Sequence, residues 1–315
     1  MHIFITGAAG FIGFHLALDL KRKGHSVLGY DNFNAYYDVG LKKARAQILE
    51  EAGVQVIHGD IRDEKLLGSL LINHPFTHFV HLAAQAGVRH SLKEPHDYVA
   101  ANLSGFVSVL EAIKCYPQIK FVFASSSSVY GLNTKVPFAP QDPTDRPANL
   151  YGATKKANEL IAFAYHNLFG IPMTGLRFFT VYGPWGRPDM AYFSFTKNIL
   201  EGKPIRLFNY GKMSRDFTYI DDIVAGVESA LKYDSQFEIF NLGNNHPEEL
   251  MDMVRYLEEN LGKKALLEPV AMRKEEVVST YADIDKSAKL LRFTPKTSLK
   301  EGLLAFTEWY LAQYS

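Results

Sequence analysis

Tyr151 and Lys155 stand four residues apart in Tyr151-Gly152-Ala153-Thr154-Lys155, downstream of four consecutive serines in Ser125-Ser126-Ser127-Ser128-Val129-Tyr130-Gly131. On a helix this spacing puts both side chains on one face, where an ammonium beside a phenol lowers its pKa from about 10. Tyr151 is therefore a candidate acid/base. If the Ser126 hydroxyl reaches the same spot from a strand end, the three groups can handle the proton of an alcohol while a cofactor takes its hydride.

The elements that would supply that cofactor begin at the first residues. An apolar run at 2–6 ends in Gly7-Ala8-Ala9-Gly10-Phe11-Ile12-Gly13, and residues 14–23 then show helical periodicity up to Gly24. A second apolar run at 25–30 ends in Asp31-Asn32, which places an acid 18 residues beyond Gly13. Strand, glycine turn, helix and a carboxylate at that distance predict dinucleotide binding, although the first glycine gap is wider than in the standard fingerprint. Gly7, Gly10 and Gly13 let the backbone approach a pyrophosphate on a helix N-terminus, and Asp31 accepts hydrogen bonds from the adenosine ribose. An acid there disfavours a 2′-phosphate, so NAD is expected rather than NADP.

The alternation continues through a strand at 54–58 ending in Gly59-Asp60, a helix at 64–73, a strand at 77–81, a long helix at 96–115 and a strand at 119–124. Strands spaced by helices mean a parallel sheet covered on both faces, an α/β fold. Ligands of such sheets lie beyond the carboxyl ends of the strands, so Asp31, Asp60, residues 83–87 and the four serines should line one crevice. Asp60 reads as a helix N-cap or as a contact to an adenine amine. Ala83 and Ala84 form a tight loop or make room for a cofactor, and Asn102 is a solvated polar residue or a brace for the site's backbone.

Pro137, Pro140, Pro143 and Pro147 mark an irregular loop before the Tyr151 helix. After a strand at 173–178 the rhythm weakens: helices at 190–201, 221–231, 247–261 and 299–313 mix with strands at 205–210, 217–220 and 237–242. The expected organisation is a Rossmann-type doubly wound parallel sheet over 1–179 that binds NAD, with returning segments at about 213–242 and 281–298. Residues 180–212 and 243–280 form a smaller mixed α/β substrate lobe, and 299–315 a C-terminal helix.

With 315 residues and 47% apolar composition the chain can build a large core with a second lobe. Lys+Arg and Asp+Glu both number 34, so no net field draws it to nucleic acid or to an anionic membrane. Cys115 is the only cysteine, which excludes an intrachain disulfide and a multi-cysteine zinc site, and it reads as a packed thiol in a reducing compartment. The 11 histidines show no metal-binding spacing. The N-terminus has no basic segment followed by a long apolar one, and no run of about 18 apolar residues occurs. A soluble cytoplasmic protein is expected.

Gly7, Gly10 and Gly13, Asp31, Ser126 with Val129-Tyr130-Gly131, and Tyr151 with Lys155 together resemble the extended short-chain dehydrogenase/reductase family that acts on nucleotide sugars. The resemblance covers essentially the whole chain. Leu150-Tyr151-Gly152-Ala153-Thr154-Lys155 and Thr180-Val181-Tyr182-Gly183-Pro184-Trp185-Gly186-Arg187-Pro188-Asp189 resemble the UDP-glucuronate 4-epimerase group in particular. UDP-glucose 4-epimerases usually carry asparagine where Thr180 stands. Nucleotide-sugar dehydratases and UDP-glucuronate decarboxylases place acids just before Val-Tyr-Gly, where this chain has Ser127 and Ser128.

The resemblance implies that Gly7, Gly10, Phe11, Ile12 and Gly13 hold NAD together with Asp31, Asn32, Asp60 and Ile61, and that Ala83, Ala84, Gln85, Asn102 and Lys155 complete its site. It implies that Tyr151 as phenolate takes the O4 proton of a UDP-sugar with Ser126 bridging, that hydride passes from C4 to NAD, and that the 4-keto sugar turns and is reduced on its other face. A 4-keto uronate is a β-keto acid prone to lose carbon dioxide, and the neutral donors Ser127, Ser128 and Thr180 would restrain its carboxylate. Arg187, Arg215 and Arg273 match basic positions of the substrate lobe and suit a diphosphate, with the carboxylate a second choice for Arg187. Glu276 takes the place of a ribose-holding acid, although Glu275 precedes it where the family carries glycine. Phe208 and Tyr210 stack near uracil or serve in the core.

In this family the helices near 99–113 and 159–169 pair two subunits, which implies a homodimer; their periodicity alone equally fits burial under the chain's own sheet. Competing readings are a UDP-glucose/UDP-galactose 4-epimerase, a UDP-glucuronate decarboxylase and a non-catalytic NAD-binding sensor. A sensor has no need of Tyr151, Lys155 and Ser126.

Overall fold

Strand and helix alternate from the start of the chain: β1 (His2–Thr6), α1 (Phe11–Arg22), β2 (Ser26–Asp31), α2 (Val39–Glu51), β3 (Gln55–His58), α3 (Glu64–Asn73) and β4 (His78–His81). The computed structural model describes residues 1–234, 236–272 and 278–314. Two short helices, α4 (Val88–Ser91) and α5 (Pro95–Tyr98), lead through a π-helical stretch at Val99–Ser104 into α6 (Gly105–Ile113). The single helix expected over 96–115 is therefore broken, and the wider turn holds Asn102 in the interior. β5 (Lys120–Ser126) runs into a 3₁₀ turn at Ser127–Tyr130, and α7 (Leu150–Phe169) and β6 (Met173–Phe178) follow.

The remaining elements are β7 (Thr180–Tyr182), α8 (Ala191–Glu201), β8 (Pro204–Leu207), β9 (Ser214–Tyr219), α9 (Ile220–Lys232), β10 (Phe237–Leu242) and β11 (Pro247–Glu249). They end with α10 (Leu250–Leu261), β12 (Leu266–Pro269), β13 (Ser279–Thr280), α11 (Asp285–Leu291) and α12 (Leu299–Tyr314).

Seven parallel strands form the main sheet in the order β10-β6-β5-β4-β1-β2-β3. Its central strands are buried on both faces, as β6 shows at every position, because helices cover both sides. α1 and α9 pack over one face and α3, α6 and α7 over the other. The order reverses between β1 and β4, and the carboxyl ends of these strands open there into a crevice. This is the Rossmann-type doubly wound fold.

A smaller lobe closes the crevice from above. β9 pairs with β7, β11 and β13, and β8 pairs with β12. Tyr192, Phe193, Met253, Leu257, Leu303 and Phe306 from α8, α10 and α12 fill its core. Of the segment 213–242, β10 joins the main sheet and β9 belongs to the small one. Cys115, expected to be packed, is exposed just after α6.

One buried ion pair fastens the central elements together. Glu159 on α7 accepts from Arg177 of β6 at 2.7 and 2.9 Å and from the Ser125 hydroxyl of β5 at 2.7 Å. Arg177 also donates to the Tyr130 hydroxyl and to the Pro140 carbonyl, and Tyr130 donates to Asn241 of β10. Burial pushes the Glu159 carboxyl up, but the Arg177 hydrogen bonds and charge outweigh it and leave the group below the usual carboxylate range. Arg177→Met strands a buried carboxylate and should lower the unfolding free energy by about 3–5 kcal/mol in urea titrations. A loss below about 1 kcal/mol would show that the pair fastens nothing.

Candidate active site

A cavity of about 970 Å³ runs along the carboxyl ends of the strands, between the sheet and the small lobe. Gly7, Gly10, Phe11, Ile12 and Gly13 line one end of it. Gly7 has a φ of +75°, and a Cβ there would lie 2.7 Å from the Ala83 nitrogen; a Cβ on Gly13 would lie 2.1 Å from the Gly7 oxygen. Only glycine lets β1, the turn and the N-terminus of α1 come this close. Asp31 lines the same end, and its carboxylate accepts from the Ala9 nitrogen at 3.0 Å and the Phe33 nitrogen at 2.8 Å. Burial raises its pKa against these donors and against Lys42 and Arg45. With two acceptor oxygens it keeps lone pairs for a ligand, so the turn and Asp31 fit the diphosphate and ribose of a dinucleotide.

Asp60 does not cap a helix: Asp63 is the N-cap of α3, accepting from the Leu66 nitrogen. Asp60 instead holds Arg62 at 2.8 and 2.9 Å and Asn32 at 3.1 Å on the cavity wall, and these bonds, Arg62 foremost, bring its pKa down to about 2. Ile61, Ala83, Ala84 and Gln85 also face the cavity. Asn102 does not line it. Its side chain accepts from the Gln85 nitrogen at 2.8 Å and donates to the Gln85 oxygen and to Thr154, so it ties the 83–87 loop to α7.

Tyr151 enters the cavity from the first turn of α7, whose N-cap Asn149 accepts from the Gly152 nitrogen. Ser126, the last residue of β5, lines the cavity beside it, near enough to act on its phenol. Ser126 accepts from the Ser128 nitrogen at 3.2 Å, which fixes its rotamer. Burial raises the Tyr151 phenol above its ordinary value, opposed by the Ser126 hydroxyl and the charge of Arg187. The expected lowering by Lys155 is not what this structure holds. Lys155 lines the same cavity but donates to the Ala124 carbonyl at 2.9 Å, and burial brings its ammonium down to about 8.

Ser127, Ser128, Thr180, Arg187, Phe208 and Arg215 line the rest of the cavity. Arg187 is paired with Asp189, which also accepts from the Tyr36 hydroxyl at 3.1 Å. Arg215 donates to the Ser214 and Val278 carbonyls. Tyr210 belongs to neither the cavity nor the core: left-handed φ values at Asn209 (51°) and Tyr210 (54°) turn it outward, 62% exposed. Arg273 and Glu276 lie outside the described residues. Sequence reasoning passed over Arg89, whose guanidinium lies 4.7 Å from the Phe208 ring centre across the cleft, and Tyr36, Lys42 and Arg62. The one signal for Arg89 was its place just after the small-residue loop. Among the described residues no cluster of three His, Cys, Asp or Glu could hold a metal, and no helix is long and apolar enough to cross a membrane.

A dinucleotide crevice that presents a tyrosine, a lysine and a serine defines a class of enzyme that oxidises and reduces alcohols through a bound cofactor. Residues 3–243 match the model of the NAD dependent epimerase/dehydratase family, and the chain belongs to that family. It is 51% identical to UDP-glucuronate 4-epimerase 4 of Arabidopsis thaliana, over 99% of this chain and 76% of that protein. It is 37% identical to the UDP-glucuronic acid 4-epimerase from Bacillus cereus, solved with UDP-glucuronic acid and NAD, with full coverage of both chains and a TM-score of 0.91. A UDP-glucose 4-epimerase of Thermotoga maritima, solved with UDP-glucose, is 30% identical with full coverage of both chains and a TM-score of 0.88.

The buried lysine makes stability depend on pH. Its pKa is lower in the folded chain, about 8 against 10.5, so between these values the unfolded state holds the extra proton and Lys155's contribution to stability rises with pH. That contribution is complete above 10.5 and lost as the pH falls through 8. In cofactor-free protein the stability of wild type relative to Lys155→Met should therefore rise from pH 8 to 10.5, by on the order of 3 kcal/mol. A difference that stays flat across this window would mean that the ammonium is solvated.

Proposed function

We propose that this protein interconverts UDP-glucuronate and UDP-galacturonate by 4-epimerisation with bound NAD. The observation that carries the reading is the neutral turn beside Tyr151: Ser126, Ser127 and Ser128 face the cavity with hydroxyls where elimination or decarboxylation would call for a carboxyl group. The relatives that carry the uronate epimerase name over nearly the whole chain support it.

In this reading Gly7, Gly10, Phe11, Ile12 and Gly13 cradle the diphosphate of NAD, Asp31 and Asn32 meet its ribose, and Asp60 and Ile61 its adenine. Ala83, Ala84 and Gln85, braced by Asn102, line its path. The cofactor supplies reversible hydride transfer at C4 of the sugar. Tyr151 removes the O4 proton through or beside Ser126 as the hydride leaves, and returns it when the hydride is delivered to the opposite face, so no proton or electron is gained or lost over the cycle. Lys155 holds a positive charge in the same site. Ser127, Ser128 and Thr180 restrain the sugar carboxylate as neutral donors, while Arg187 and Arg215 meet the substrate's anionic groups and Phe208 lies near its base.

We also propose a cytoplasmic homodimer. Leu160, Phe163, Leu168 and Phe169 on α7 and Val99 before α6 stand exposed, an apolar face that a second copy would cover. The exposed thiol of Cys115 suits a reducing compartment.

Incubated with UDP-glucuronate and no added NAD, the purified protein should yield UDP-galacturonate alone by NMR, and in light scattering it should run at twice 35.5 kDa. Tyr151→Phe should cost about 10²–10⁴ in kcat, and Thr180→Ala should release some pentose product or raise the KM. Silence with UDP-glucuronate beside turnover of UDP-glucose would overturn the uronate assignment, and a 35.5 kDa species would overturn the dimer.

A further inference from the structure

Arg45, on the inner face of α2, is fully buried, and no carboxylate is among its hydrogen-bond partners. Its Nη1 donates to the Ala9 carbonyl at 3.0 Å and to the Tyr37 hydroxyl at 2.8 Å. Its Nη2 donates to the carbonyls of Trp185 at 2.5 Å and Gly186 at 3.2 Å, and its Nε has no partner among the described residues. Burying a guanidinium is costly, and what offsets that cost here is the nearby charge of the Asp31 carboxylate and the Tyr37 ring, whose centre lies 5.6 Å away. What a guanidinium offers that an apolar side chain or a lysine lacks is a rigid fork of donors that can hold two separate backbones at once.

The two backbones belong to different halves of the site. Ala9 lies inside the glycine turn, and its own nitrogen donates to Asp31. Trp185 and Gly186 lead directly into Arg187, whose charge acts on the Tyr151 phenol and which is held in place by Asp189, itself an acceptor from the Tyr36 hydroxyl. Trp185 sits at a left-handed φ of 58°, a conformation that a bulky side chain does not hold unaided.

We infer that Arg45 is a positioning residue that couples cofactor binding at the glycine turn to substrate binding at the 185–189 loop. The inference rests on the proposed reading of the cavity as a site for NAD and a UDP-sugar. A diphosphate that settles the Ala9 turn also settles the Arg45 fork, and with it the loop that presents Arg187. By linkage, a ligand that engages the 185–189 loop must hold the cofactor more tightly by the same factor.

The test follows NAD release from purified holoenzyme, with and without UDP-glucuronate, and separately with UDP. In wild type each ligand should slow release about fivefold or more. In Arg45→Met the slowing should vanish and the KM for UDP-glucuronate should rise about tenfold. Arg45→Lys keeps the charge but can grip only one side, so it should show an intermediate factor; if the methionine variant does not fold, the lysine variant decides. A folded variant that keeps the wild-type factor, or a wild type whose NAD release ignores both ligands, overturns the coupling. A structural role alone would lower Tm while leaving the factor intact. Absence of UDP-glucuronate turnover in wild type would overturn the functional reading only, because the effect of UDP on NAD release is read without turnover.

Discussion

The Glu159–Arg177 ion pair is the interaction on which the geometry of the site depends. Tyr151 and Ser126 arrive from different elements, a helix and a strand end, and their proximity in the cavity requires that α7 and β5 keep a fixed offset. Glu159 supplies that constraint two turns along α7, binding Ser125, the neighbour of Ser126, on one oxygen and Arg177 of the adjacent strand on both. The bonds continue through Tyr130 and Asn241, which donates to the Phe138 and Asp283 carbonyls. Every charge in the chain of contacts is paired, so burial strengthens the network.

Desolvation then sets the chemistry. Burial lifts the Tyr151 phenol and lowers the Lys155 ammonium, moving each toward its neutral form. The phenol alone is a weak base at neutral pH in such a place, and what brings it down is positive charge. Arg187 already acts in this sense from the substrate side. The oxidised nicotinamide adds a charge in the reading proposed above, so the acid/base is tuned only when the site is loaded. Arg45 belongs to the same logic, since it joins the turn that would hold the cofactor to the loop that carries Arg187.

Much of this was legible in the residues. The parallel strands of the main sheet, their glycine turn and the crevice follow from short apolar runs ended by Gly7, Asp31 and Asp60, because strands buried on both faces, as β1 and β2 are, read as continuous apolar runs bounded by turn residues. α2 was missed for a physical reason: its buried face carries Lys42 and Arg45 beside Leu41, Ala46 and Leu49, and two cations break the apolar period that reveals a helix. The π-helical turn around Asn102 and the outward Tyr210 were hidden because each depends on backbone angles that residue types alone do not dictate. The relation of Tyr151 to Lys155 was half right. Helical spacing brought both to one cavity, but a nearby carbonyl at Ala124 claims the ammonium.

The titration of the Tyr151 phenol with and without NAD tests most directly whether charge brought by the cofactor turns a half-buried tyrosine into a base. Tyrosine labelled with ¹³C at Cζ, with Tyr151→Phe as the assignment control, reports it by NMR. The phenol should titrate above about 10 in cofactor-free protein and well below 10 once NAD is bound. A phenol that still titrates above 10 in the loaded protein would contradict the assignment of Tyr151 as the acid/base.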